Sequence, residues 1–147
     1  MTAVALVACV GATLFMVGLT WFVQVVHYPL FSEVGTEAFR AYHDLHSIRT
    51  TWVVAVPMLV ELASSFVLAI DPPDGLGTLA LVGAVLAVAI WVVTLAWAAP
   101  THGAIGREGP TEPLLNRLDR ASLVRTWLWT AHGVVVLAMV AGVMEFG

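Results

Sequence analysis

The sequence predicts an all-α integral membrane protein, a four-helix up-down-up-down bundle forming a single domain over residues 1–147. Three observations carry this. The chain is 60% hydrophobic and only 11% charged, where a soluble domain carries roughly 25% charged residues. Four separate apolar runs reach the roughly 20 residues that a helical crossing requires. The stretches between them are short, which makes consecutive helices antiparallel neighbours.

The first run covers about residues 2–27 and stops at Tyr28-Pro29. The second covers about 37–70 and is closed by Asp71-Pro72-Pro73-Asp74-Gly75. The third covers about 78–99, with Pro100 as its stop, and the fourth opens at Pro113, a favoured first-turn position, and continues to about residue 144. One face of the bundle, side A, therefore holds the 28–38 and 100–112 connections. The opposite face, side B, holds both termini and the 71–77 turn.

All six basic residues are arginines, and net charge is −4. No basic surface exists for a nucleic acid. Arg40, Arg49, Arg107, Arg117, Arg120 and Arg125 all lie on or toward side A, so the positive-inside rule puts side A in the cytoplasm and both termini outside it. Cys9 is the only cysteine, which excludes an internal disulfide and a thiolate cluster. Leu6-Val7-Ala8-Cys9 lacks the basic start of a lipoprotein signal, so Cys9 is expected to face lipid or the core and no cleaved leader is expected.

Internal duplication is a further expectation. Ser47-Ile48-Arg49-Thr50-Thr51-Trp52 in the second helix parallels Ser122-Leu123-Val124-Arg125-Thr126-Trp127 in the fourth, and His27 and His102 are separated by the same offset. A repeated helical hairpin, related by an axis along the membrane normal, accounts for both.

Polar residues inside the apolar runs are informative, because hydrocarbon offers them no partners. Helical spacing aligns Thr13, Thr20, Gln24 and His27 on helix one, and His43, Thr50, Pro57 and Glu61 on helix two, with His46 beside His43. Trp91, Thr94 and Ala98 lead toward His102 on helix three, and Ser122, Arg125, Trp129 and His132 share a face of helix four. If these stripes face one another, His27, His43, His46 and His102 gather at the side A mouth, with Arg125, Glu61 and His132 deeper. At about 1.5 Å per residue, Glu61 lies roughly 13 Å and His132 roughly 18 Å from side B, close enough in depth to meet.

Each group has two readings. A carboxylate near the bilayer centre costs roughly 2.5–3.5 kcal/mol on insertion scales. Glu61 is then either a helix lock, protonated or paired with His132 or Arg125, or a proton-transfer group. Imidazole suits zinc, copper, iron or nickel, so the four histidines are either a site for a transition metal (copper, iron or zinc) or a haem, or interfacial hydrogen-bonding residues. HExxH, Glu-x-x-His pairs and CxxCH are absent, which leaves zinc-protease, di-iron and c-type haem chemistry without support. Trp91 and Trp129 are core residues or the walls of a pocket for a flat ligand.

The segments Val25-Val26-His27-Tyr28-Pro29-Leu30-Phe31, Phe39-Arg40-Ala41-Tyr42-His43-Asp44-Leu45-His46 and Pro57-Met58-Leu59-Val60-Glu61, with Pro100-Thr101-His102 and Leu123-Val124-Arg125-Thr126-Trp127, resemble a group of small bacterial four-helix membrane proteins over most of the chain. More distantly, the layout is similar to the anthrone oxygenase-like membrane family, although the turn here is Pro-Thr-His where that family has Pro-Thr-Asn. An arginine that the family carries after His132 is also replaced by apolar residues. These resemblances imply a bacterial cytoplasmic membrane and oxidation of a flat, lipophilic quinol- or polyketide-like molecule.

Three functions follow as expectations. In a membrane oxidoreductase, Glu61, His132 and Arg125 are catalytic, Gln24, Trp91, Thr94 and Trp129 contact the lipophilic substrate, and His27, His43, His46 and His102 hold a metal or act as bases. In a proton-coupled transporter subunit, Glu61 titrates, and four helices require a homodimer or larger assembly. In a non-catalytic membrane partner or assembly protein, the polar stripes serve packing alone.

Overall fold

Runs of Ala, Val and Leu supply helix-compatible side chains that lipid can solvate, and they form the helices almost where the apolar pattern places them. The computed structural model describes residues 1–146, the side chains of Ser32, Thr36 and Phe146 apart. Helix α1 spans Thr2–Phe22, α2 Thr36–Ile70, α3 Gly77–Val93, α4 Ala99–Glu108 and α5 Glu112–Phe146. Among the described residues, four continuous stretches are long and apolar enough to cross a membrane: Thr2–Phe31, Glu37–Ile70, Gly77–Glu108 and Glu112–Glu145. The chain is a multi-pass membrane protein.

The third span departs from expectation. Pro100 does not end it; the helix continues to Glu108. A proline lacks the N–H of a regular turn, and its ring collides with the carbonyl four residues back. Here a π turn over Thr94–Ala98, closed by the Ala99 N–H on the Thr94 carbonyl, widens the helix by one residue just before the proline and relieves that collision. The first span repeats the device. A π turn covers Val23–His27, closed by the Tyr28 N–H on the Val23 carbonyl at 2.9 Å, and Pro29 then opens a 3₁₀ turn over Pro29–Glu33. The two hairpins thus match in form: each pairs a helix carrying a π turn before proline with an unbroken helix of 35 residues.

Connections are tight. Gly109, at φ 87° and ψ −178°, occupies backbone space open essentially to glycine alone, and it lets the chain turn from α4 into α5. At side B the Thr2 hydroxyl donates to Asp71 at 2.6 Å, tying the N-terminus to the 71–77 turn. Each long helix packs on two neighbours, α1 on α2 and α5, and α3 on the same two. Among the described residues the backbones of the diagonal pairs α1–α3 and α2–α5 stay apart, and side chains such as Glu61 and His132 bridge the α2–α5 diagonal. The arrangement is a four-cornered bundle whose outer wall is apolar, with Trp52 79% and Ile70 83% exposed.

Its interior is layered along the membrane normal. Near side B, Leu6, Cys9, Leu68, Leu76, Ala80, Val136 and Met139 pack together. In mid-bundle, Met16, Met58, Ile90 and Trp129 form a second apolar layer with one residue from each span. Phe31, Phe39, Ile105 and Leu118 close the side A end. Polar side chains occupy the two gaps between these layers.

Candidate functional site

The upper gap, between the mid-bundle layer and the Phe31 cap, holds four of the five histidines. The π turn before Tyr28 carries His27 inward, and the helical continuation past Pro100 puts His102 on α4 rather than in a loop. His27 Nε2 lies 2.8 Å from His46 Nδ1, which is also 3.2 Å from the Thr50 hydroxyl. His43 Nε2 lies 3.2 Å from His102 Nδ1, and His102 Nε2 lies 3.1 Å from the Tyr28 hydroxyl. A neutral imidazole has one donor and one acceptor nitrogen. If the Tyr28 hydroxyl donates to His102, His102 donates to His43, and the remaining His43 N–H faces the exposed Asp44 carboxylate at 3.8 Å. Phe31 stands edge-on to His27 and His46 at 5.1 and 5.2 Å.

The expected histidine cluster therefore forms, as two nitrogen-to-nitrogen pairs. For one ion to take all four rings, both pairs would have to open. Among the described residues no set of three His, Cys, Asp or Glu side chains is placed to hold a metal.

Beneath the histidines lie three adjoining cavities that share Thr50. One of about 210 Å³ runs between α2 and the third and fourth spans, lined by His46, Ser47, Thr50, Thr94, His102 and Arg125 among others. A second, of about 200 Å³, lies between the first and second spans against His27, His46 and the lipid-exposed Phe22 and Val53. A third, of about 40 Å³, joins Thr20, Ser122 and Arg125. Together they reach the lower end of the roughly 300–1,000 Å³ usual for small-molecule sites. Thr94 and Thr20 turn their hydroxyls to their own helix carbonyls, Ile90 at 2.7 Å and Met16 at 2.8 Å. Ser47 Oγ and Arg125 Nε are both buried with no hydrogen-bond partner among the described residues.

The lower gap is of a different kind. Glu61 and His132 are fully buried, with Oε1 and Nδ1 3.0 Å apart. The approach is that of an ion pair: neither carboxylate oxygen makes a directed hydrogen bond among the described residues. His132 also meets the Thr13 hydroxyl at Nδ1 and the Ser65 hydroxyl at Nε2, each at 3.4 Å, and Ser65 Oγ lies 3.5 Å from Cys9 Sγ. Gly83 packs against the imidazole, where a Cβ would make an ordinary contact of 3.5 Å with His132 Nε2. Glu61 and His132 line none of the three cavities below the histidines, and the Met16–Met58–Ile90–Trp129 layer lies between.

Of the expected substrate contacts, Thr94 lines the cavity of about 210 Å³ beneath the histidines. Trp129 lies below it in the apolar layer, with Trp91 packed against that layer. Gln24 turns away, donating to Asp119 at 2.7 Å. Arg125 joins the histidines, whereas Glu61 and His132 do not. Cys9 is a core residue, as one of its two readings had it. Tyr28 and Ser47 were not anticipated as site residues. Tyr28 lies beside His27 in sequence, and Ser47 lies beside His46, so adjacency was the available signal. No family model, no curated protein and no solved structure matches the chain, so the geometry of these side chains is what bears on its function.

Proposed function

We propose that this chain is a small membrane oxidoreductase of oxygenase-like type, which binds a flat lipophilic molecule of the quinol or polyketide class in the cavities beneath the histidines. The observation that carries the reading is the convergence of His46, His102, Ser47, Thr50 and Arg125 on one cavity. Such a molecule reaches the site sideways from lipid, past Phe22 and Val53. His46, and His102 once its hydrogen bond with Tyr28 opens, act as proton acceptors for a phenolic hydroxyl or an activated C–H. Arg125 stabilises the oxyanion that remains, which is where a fixed positive charge is most effective. Dioxygen, dissolved in the bilayer, is the oxidant. A quinol gives up two electrons and two protons to leave as the quinone with hydrogen peroxide, whereas an activated CH2 takes one oxygen atom as a new carbonyl and the other leaves as water. Glu61 and His132, expected as catalytic residues, serve instead to lock α2 to α5.

Positive-inside placement of the arginines supports a cytoplasmic position for the histidine end, in a bacterial cytoplasmic membrane. A transition metal on the histidines is the competing form of this reading, and elemental analysis of the purified protein separates the two. The test of the proposal is oxygen consumption with anthrone or a naphthohydroquinone by the protein in detergent. Turnover above empty micelles is expected, and His102→Ala should lower it by about 10²-fold or more, the usual value of a general base. Wild-type protein that consumes no oxygen above background would refute it.

A further inference from the structure

A guanidinium cannot be deprotonated in a protein, and a charge inside a bundle normally has an opposite charge beside it. Arg125 does not. Among the described residues no carboxylate lies within ion-pair distance of it: the ion pairs there are His43–Asp44 and His132–Glu61. Glu61, the acid of the membrane interior, is taken by His132. Asp119, six residues before Arg125 on α5, instead accepts from Gln24. Around Arg125 the cavity offers imidazoles, hydroxyls and apolar side chains, with the buried hydroxyl of Ser47 equally unpartnered.

We infer that the cavity at Arg125 is built for an acidic amphiphile: one anionic oxygen group, a carboxylate, ionised phenol or phosphate, on an apolar body, with the anion completing the pair with Arg125 and accepting from Ser47. The inference rests on the reading of this same cavity as a ligand site and narrows it to a charge class. Lining residues divide to suit such a molecule. Ser47, Thr50 and Arg125 surround the polar end, while Val54, Met58, Ala98 and Ala99 offer an apolar wall. Two sources share this chemistry, a small lipophilic acid and the headgroup of an anionic lipid.

The experiment is equilibrium binding of 2-naphthoate and its neutral isostere 2-naphthamide to the full chain in dodecyl maltoside micelles, read by tryptophan fluorescence against empty micelles. Wild-type protein should prefer the acid by about tenfold or more, the value of one charge-assisted hydrogen bond. Arg125→Gln should abolish that preference while leaving the amide's affinity in place. The acid-against-amide ratio of wild-type protein decides the matter alone should Arg125→Gln not fold. Nanodiscs then distinguish the sources. Naphthoate binding weakened about tenfold in phosphatidylglycerol relative to phosphatidylcholine identifies the lipid phosphate as the occupant; equal binding in both supports a small acid. Equal affinity of wild-type protein for acid and amide would overturn the inference and leave the proposed function standing. If neither probe binds and phosphatidylglycerol confers no thermal stabilisation over phosphatidylcholine, both fall.

Discussion

Removing one partner of the Glu61–His132 pair should be far more damaging than removing both. The two groups are fully buried and 3.0 Å apart, in a layer bounded by Leu68 and Met139 on one side and Trp129 on the other. His132→Leu leaves an acid in that layer with neither a counter-charge nor a directed hydrogen bond. Breaking a buried pair this way costs about 3–5 kcal/mol, because the survivor keeps its desolvation penalty. Insertion scales put roughly 2.5–3.5 kcal/mol on one carboxylate at the bilayer centre, which points to the lower half of that range. Replacing both groups, as Glu61→Leu with His132→Leu, removes the penalty with the charges and should fall within about 1 kcal/mol of wild type. The double-mutant cycle therefore predicts a coupling energy of about 3 kcal/mol or more. Unfolding in mixed micelles with rising dodecyl sulfate, followed by tryptophan fluorescence, measures all four corners. A His132→Leu variant as stable as wild type would refute the pairing. A double variant as unstable as the sum of the singles would refute the locking argument. Loss of proton flux in Glu61→Gln with stability unchanged would favour the transporter reading instead.

Three further outcomes follow from the same packing. His102→Phe deletes the ring that links Tyr28 and His43 and should lower stability by about 1–3 kcal/mol through the polar atoms it strands; an unchanged thermal midpoint would show that the link contributes nothing. Gly142→Ala places a Cβ 2.7 Å from Leu76 Cδ2, so it should destabilise by about 1–3 kcal/mol through overpacking, with partial recovery when Leu76→Val is added. Trp129→Ala empties the mid-bundle layer at about 3–5 kcal/mol, whereas Trp52→Ala, at a side chain 79% exposed, should stay within about 0.5 kcal/mol; similar losses at both would mean the layer is not the core of the bundle.

Most of the fold was legible because bilayer-spanning helices announce themselves by length and hydropathy. The ends of α2, α3 and α5 at Thr36, Gly77 and Glu112 fall one residue from the boundaries that the apolar runs imply. Proline was the weak point. Read as a stop it truncates the third span, because a single sequence carries no mark of the π turn that absorbs it. The same effect misplaced Gln24. Its alignment with Thr20 and His27 assumes 100° per residue, and the widened turn over Val23–His27 breaks that register, leaving His27 inside and Gln24 beside Asp119. Glu61 and His132 were brought together by depth on facing polar stripes, and Thr13 stood in the stripe of helix one, whereas Ser65, four residues from Glu61, carried a helical-face signal that passed unused. The Met16–Met58–Ile90–Trp129 layer had no signal at all, since four apolar residues are indistinguishable from the rest of a membrane helix until the packing is known.

That layer decides which polar group meets a ligand. Below it, Glu61 and His132 complete each other: as ion pair or as acid and imidazole sharing one proton, they need no charge from outside, and no cavity beneath the histidines reaches them. Above it, Arg125 carries a charge that nothing among the described residues balances, in a gap where the histidines bond to one another and space remains. Charge neutrality inside a low-dielectric bundle is demanding, because a pair of charges interacts there several times more strongly than in water. A gap holding one uncompensated cation, two unpartnered donors and unfilled volume is therefore incomplete as a structural element, while the gap below is complete. The arginine end is where a second molecule belongs.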